Sequence, residues 1–154
     1  EISWAQLSAF CDTSRRCDAR AAEELPVTGV DLDLVRDYAG WLSAQTGFTY
    51  RLPELDEWLR AAGRKPDPNR NCRINAGGVE RGKRLVATDT GRANGYGLLH
   101  VFGNAQEWVN SETGPVAAGG AYRDPIEHCV AETARDHDGS ADEMTGFRLV
   151  REVS

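Results

Sequence analysis

Helical periodicity is confined to the first 63 residues of this 154-residue chain, and loop and short-strand signals dominate the remainder. Segregated elements of this kind define the α+β class. Ser3 with Gln6 makes a capping-box pattern, after which Trp4, Leu7, Phe10 and Cys11 recur at helical spacing. This first helix is expected to end near Ser14. A second begins after the capping residue Asp31, carries Val35, Tyr38, Ala39 and Leu42 on one face, and stops at Gly47 with its final turn near Gln45. A short third helix comes after Pro53, whose fixed backbone suits a helix start, and runs to about Ala62 before Gly63.

From Lys65 to Val109 the chain is rich in Gly, Asn and Pro, with short apolar runs only at Leu85 to Ala87 and Leu98 to Phe102. Long loops are expected there, which in a compact domain mark function or a loop-rich fold. FRLVRE, around Arg148 to Arg151, reads as a closing strand with Phe147, Leu149 and Arg151 on one face. No repeat, linker or low-complexity tract divides the chain, so residues 1–154 are read as one domain. A domain of this length buries roughly two thirds of its unfolded surface and needs no metal merely to form a core.

A formal charge of -6 argues against a nucleic-acid surface. The basic run Arg60 to Arg73 is interrupted by Pro66, Asp67 and Pro68 and has no interleaved aromatic residue, so it reads as a solvated loop. No apolar run approaches the roughly 18 residues of a membrane span. The chain opens at Glu1 without a methionine or signal-like region, as a mature product or an excised fragment would. Cys11, Cys17, Cys72 and Cys129 allow three fully paired connectivities. Cys11 and Cys17 flank the short polar bend DTSRR, which favours pairing them and leaves Cys72 to pair with Cys129. Two disulfides imply an oxidising, extracytoplasmic compartment, whereas four free cysteines would suit the cytosol. Neither pair has the CxxC spacing of a zinc site, and the histidines are scattered.

Several blocks then agree in order with one family. VTGVDLDLVRDYAGWLSAQTG matches its helix pattern at Val30, Tyr38, Trp41, Leu42, Ser43 and Gly47. RLPELDEWLRAAG matches through Arg51, Leu52, Pro53, Glu57, Trp58, Ala61 and Ala62. NGYGLLHVFGNAQEWV from Asn94, GGAY from Gly119 and GFRLV from Gly146 match in turn. From Ile2 to Glu152 the chain resembles the formylglycine-generating-enzyme (sulfatase-modifying factor) family, which implies a C-type-lectin-like fold. The family's usual N-terminal strands have no counterpart, so the chain resembles a truncated or compact member.

In the family's sulfatase-modifying enzymes, two cysteines after GGSY hold the copper that oxidises a substrate cysteine, since copper(I) favours soft thiolates. Here that segment reads GGAYRDPIEHC: Ala121 replaces the serine, Asp124 stands at the first cysteine position, and only Cys129 is kept. The resemblance therefore implies a scaffold without formylglycine-generating activity. In several members the NxYGL block is a calcium loop, which would assign carbonyls to Gly103 and Ala105 and a carboxylate to Glu107. His100 replaces the expected Asp or Asn, so calcium competes with a purely structural turn. The iron-binding sulfoxide-synthase branch relies on a further helical domain, and His100, His128 and His137 show no facial-triad spacing. RDHDGSADE lacks the order of an EF-hand and reads as a solvated acidic turn.

Two functions are compatible with these residues. One is a non-catalytic binding or sensory module, a pseudoenzyme that presents Tyr122, Arg123, Asp124, His128, Arg135, Asp136, His137 and Asp138 to a protein or small-molecule ligand. Family modules of this kind occur in larger bacterial proteins, including membrane-associated kinases, and as retroelement-diversified binders, whose Asn-rich variable segment is absent here. The alternative is a metal-dependent oxidase with an altered site, because function lives in the site and not in the fold. A purely structural domain within a larger protein is the third option.

Overall fold

The structure is a computed structural model that describes residues 1–77 and 79–153. Helix α1 spans Trp4–Ser14, with the Ser3 hydroxyl accepting from the Gln6 amide at 3.2 Å and the Gln6 side chain accepting from the Ser3 amide at 2.9 Å. This reciprocal cap satisfies two amides that helix geometry orphans. Helix α2 spans Leu32–Thr46, started by the Asp31 carboxylate on the Leu34 amide and stopped at Gly47 in the left-handed region. Strand β1, Tyr50–Arg51, leads to α3, Leu55–Ala62. The expected role of Pro53 is corrected: it lies before the cap, and Glu57 sets the start of α3 by accepting from the Glu54 amide at 2.9 Å.

Beyond α3 the elements are short strands. β2 (Ile74–Ala76) and β3 (Val79–Arg81) form an antiparallel hairpin inside the stretch expected to be loop from Lys65 to Val109, and the Gly-rich segment 82–105 contains no regular element. The main sheet has the order β6-β5-β4-β7, from β4 (Gln106–Ser111), β5 (Gly114–Ala118), β6 (Ala134–Asp136) and β7 (Thr145–Gly146). β4 pairs antiparallel with β5 and parallel with β7. β8, Val150–Arg151, pairs with β1, so the last strand returns to the segment between α2 and α3. The expected closing strand is thus shorter than FRLVRE. Phe147 is fully buried, whereas Arg151 is exposed and lies over the Phe48 ring, so the three residues do not share one environment.

Strand β4 organises the interior. Successive side chains of a strand face opposite ways, and Trp108 enters a cluster with Leu7, Phe10, Val35, Tyr38 and Phe147, while Val109 enters a second one with Trp58, Phe102 and Val116. The first cluster joins α1 and α2 to the sheet through edge-to-face contacts of Phe10 and Phe147 with Tyr38. The second fixes α3 on the other face of the same strand. Glu107 shares a face with Val109 and so meets Trp58.

Two disulfides, Cys11–Cys17 and Cys72–Cys129, complete the frame, with Cα separations of 4.8 and 6.7 Å. This is the pairing that the DTSRR bend favours. Such bonds persist in an oxidising environment. Among the described residues no helix is long and apolar enough to cross a membrane.

Candidate functional site

The segment after β5 turns sharply because Gly119 and Gly120 both have positive φ. At Gly120 a Cβ would lie 2.9 Å from the Cys129 sulfur, so only glycine lets the turn close on the disulfide. The Ala121 amide then donates to the Asp124 carboxylate at 2.8 Å, and the Asp124 amide donates back to the Ala121 carbonyl at 2.9 Å. Arg135 of β6 donates to the same Asp124 oxygen at 3.0 Å. A 3-10 turn, Ile126–His128, delivers Cys129 to Cys72.

This geometry bears directly on copper chemistry. Cys129 sulfur is covalently bonded to Cys72 sulfur, and at the other ligand position Asp124 offers a hard carboxylate already engaged by Arg135 and a backbone amide. Copper(I) prefers soft thiolates, so the residues present do not fit the ion that the family's sulfatase-modifying enzymes use.

Of the surface residues expected from the sequence, Arg123, His128, Arg135, Asp136 and Asp138 are exposed and Asp124 is partly so. Tyr122 is not part of that surface. It is 6 % exposed, its amide donates to the Asn104 carbonyl, and the Arg123 guanidinium lies 5.3 Å from its ring centre. His137 is also turned inward, edge-on to Trp108. Its Nδ1 accepts from the Gly139 amide at 2.9 Å, so Nε2 carries the proton and donates to Asp142 at 2.7 Å. Asp142 also accepts from Thr145 and the Met144 amide; partial burial pushes its carboxyl up, and the His137 donor, with Thr145 and Met144, outweighs this and holds it below the usual range. The acidic turn is thus tied by its own carboxylates, with Asp138 accepting from the Ser140 amide. Asp136, His137 and Asp138 border an open depression with Thr113, Pro115 and Ser140.

The NGYGLLHVFGNAQEWV block holds a different charge arrangement. Glu107 is fully buried, and Arg148 grips it at both oxygens, Nε to Oε2 and Nη2 to Oε1, each at 2.7 Å. Trp58 Nε1 adds a third donor at 2.8 Å. Burial alone pushes the Glu107 carboxyl up, and the Arg148 charge, its hydrogen bonds and the Trp58 donor outweigh this and hold it below its ordinary value. The carboxylate that calcium would use is therefore committed to a guanidinium. His100, at the position of the missing hard ligand, has φ 52° and directs its carbonyl at Arg148, 3.4 Å from Nη2. Among the described residues no three His, Cys, Asp or Glu side chains group as cation ligands.

Sequence reasoning missed Arg148 and Asn104. Asn104 is fully buried with φ 63°, and its side chain donates to Glu1 and the Val86 carbonyl while accepting from Asn71 and the Val86 amide. The available signals were an Asn in a Gly-Asn pair, a residue tolerant of positive φ, and a lone Arg within the apolar GFRLV block.

Solved structures share this architecture. PvdO from Pseudomonas aeruginosa superposes with TM-score 0.78 at 18% identity, over 99% of this chain and 78% of that one. CarF superposes with TM-score 0.78 at 22% identity, over 100% of this chain and 84% of that one. Treponema denticola variable protein 1 gives 0.74 at 16% identity, over 97% and 81%. At these identities the likeness is one of fold. No curated protein sequence matches the chain. Residues 3–153 match the Sulfatase-modifying factor enzyme 1-like domain, and with that match the chain belongs to the formylglycine-generating-enzyme (sulfatase-modifying factor) family.

Proposed function

We propose that the domain is a non-catalytic recognition module of this family, acting outside the cytoplasm. It presents Arg123, Asp124, His128, Arg135, Asp136 and Asp138 to a protein or small-molecule ligand. The observation that carries the reading is the Cys72–Cys129 disulfide, which consumes the only cysteine kept at a copper-ligand position. What remains at the C-terminal turn is a set of exposed cations and anions on a backbone fixed by two positive-φ glycines and a covalent bond. Loops held on a rigid frame are where recognition resides. Calcium at Gly103, Ala105 and Glu107 would have to displace Arg148, and the reading makes no use of it.

The competing assignment, an oxidase with an altered site, separates on one experiment. The oxidised protein is loaded with copper(I) or iron(II), desalted, analysed for metal, and incubated with a sulfatase-derived cysteine peptide. The module predicts far less than one equivalent of metal and an unchanged peptide mass. One retained equivalent together with oxidation of the peptide cysteine would overturn it. Binding itself is read by amide shift mapping against peptide and metabolite sets, with shifts expected at Arg123, His128 and Arg135. A full set of probes that leaves Arg123, His128 and Arg135 unshifted would also overturn the assignment, whatever shifts appear elsewhere.

A further inference from the structure

A cavity of about 480 Å³ lies between the segment after α3 and the loop from Gly91 to Phe102. Its volume falls within the roughly 300–1,000 Å³ of small-molecule sites. The apolar part of its wall is built from Leu98, Val101 and Phe102, the last two buried in the second core cluster. Around this wall stand Lys65, Arg70 and Arg92, with His100 beside them. The one carboxylate among the lining residues, Asp67, accepts from the Asn69 amide at 2.9 Å and so closes its own turn.

The charges here are unbalanced. Residues 60–92 hold nine of the 18 Lys and Arg but only three of the 24 Asp and Glu, in a protein whose net charge is -6. Among the described residues, none of Lys65, Arg70 and Arg92 has a carboxylate within ion-pair distance. Arg70 is held by backbone carbonyls, donating to Asp67 at 2.9 Å and to Ile126 at 2.7 Å, and its buried Nε has no partner. A half-buried guanidinium is costly without a counter-charge. A loop that served solubility alone would leave its cations in water, not fix one beside an apolar wall.

We propose that this cavity is a binding site for a small organic anion, a carboxylate or phosphate headgroup meeting Arg70, Arg92 and Lys65 while an apolar body lies against Leu98 and Phe102. The site does not depend on the recognition surface proposed above. It touches that surface at one point, the Arg70 hydrogen bond to Ile126, so an occupant that draws on Arg70 would act on the turn that carries His128.

The test uses the oxidised full chain and four probes, namely benzoate, phenyl phosphate, inorganic phosphate and the neutral benzamide, with amide shift mapping and calorimetry as readouts. Saturable binding of benzoate or phenyl phosphate is expected, with shifts at Gly91, Arg92 and Leu98. The preferred probe identifies the headgroup, and inorganic phosphate alone should bind more weakly for want of the apolar contact. Benzamide should bind at least about tenfold more weakly than benzoate, as the loss of one charge-assisted hydrogen bond requires. Arg92→Gln and Lys65→Gln are exposed changes that leave the fold intact, and each should weaken the preferred anion about tenfold. Failure of both aromatic anions to bind, equal affinity for benzamide, or indifference to both substitutions would overturn the proposal.

Discussion

Replacing Arg148 with methionine isolates the most deeply buried ion pair among the described residues. Glu107 is 0 % exposed and the Arg148 side chain 14 %, with two contacts at 2.7 Å between them. Removing the guanidinium leaves a buried carboxylate with Trp58 as its remaining side-chain donor and frees the Leu99 carbonyl, which accepts from Arg148 at 2.9 Å. Breaking such a pair from one side costs about 3–5 kcal/mol. In a chain of this size that corresponds to a melting temperature lower by roughly 6–20 °C. Urea unfolding at pH 7, monitored by tryptophan fluorescence, measures the loss. The sign of the pH dependence should also invert. In the parent, the folded-state pKa of Glu107 is depressed, so its contribution is present above the unfolded value and disappears as the pH falls. In Arg148→Met, burial dominates and raises that pKa, so the penalty is full at neutral pH and relieved on acidification. The gap between the two proteins should narrow from pH 7 to pH 5. A loss under about 1 kcal/mol at pH 7, or a gap that widens with acid, would refute the assignment of Glu107 as a buried ion held by Arg148.

Three further outcomes are expected. Removing Cys72–Cys129, with a sequence separation of 57, should cost about 4 kcal/mol, and removing Cys11–Cys17, with a separation of 6, about 2 kcal/mol, read as melting temperatures of the paired alanine variants. Gly103→Ala should destabilise by about 1–3 kcal/mol, because φ is +76° and a Cβ would meet Cys72 sulfur at 2.5 Å, whereas Gly40→Ala, in open space within α2, should stabilise by about 0.5–1 kcal/mol in urea titrations. Arg51 lowers the Glu57 pKa to about 2 through its hydrogen bonds, so this pair stabilises above about pH 4.5 and is lost as the pH falls toward 2. With side chains 35 % and 28 % exposed, it is limited to about 1 kcal/mol, and acid titration of Arg51→Met should lack that component.

The helices were legible in the sequence because their information is local. Ser3 with Gln6, Asp31 and Gly47 each act within four residues, and their hydrogen bonds form as the spacing implies. The disulfide pairing could be read from the five-residue bend between Cys11 and Cys17. The strands were less legible because their partners are remote: β8 pairs with β1 about a hundred residues earlier, and nothing local in FRLVRE marks where pairing stops. The same distance hid the Arg148–Glu107 pair, whose members lie 41 residues apart. Tyr122 read as a surface aromatic because its neighbours Arg123 and Asp124 are polar. The positive φ of Gly119 and Gly120 turns it inward, which sequence spacing does not reveal.

Side-chain amides explain how so much irregular backbone stays ordered. Asn94 donates to the Ala61 carbonyl at the end of α3 and accepts from the Tyr96 and Leu98 amides, so one residue both shapes its loop and fastens it to a helix. Asn71 joins Asn104 to the Arg84 carbonyl, and Asn104 completes four bonds without access to water. Unmade buried polar bonds are expensive, so such a network resists partial opening more than its net contribution suggests. The consequence falls on recognition. A loop that is ordered before its ligand arrives loses less conformational entropy on binding, where each freely rotating side chain fixed at an interface costs about 0.5–1.5 kcal/mol. In this fold the Cys72–Cys129 bond anchors the C-terminal turn and Asn94 fixes the wall of the basic cavity. Both surfaces are therefore preorganised by residues that need not touch a ligand themselves.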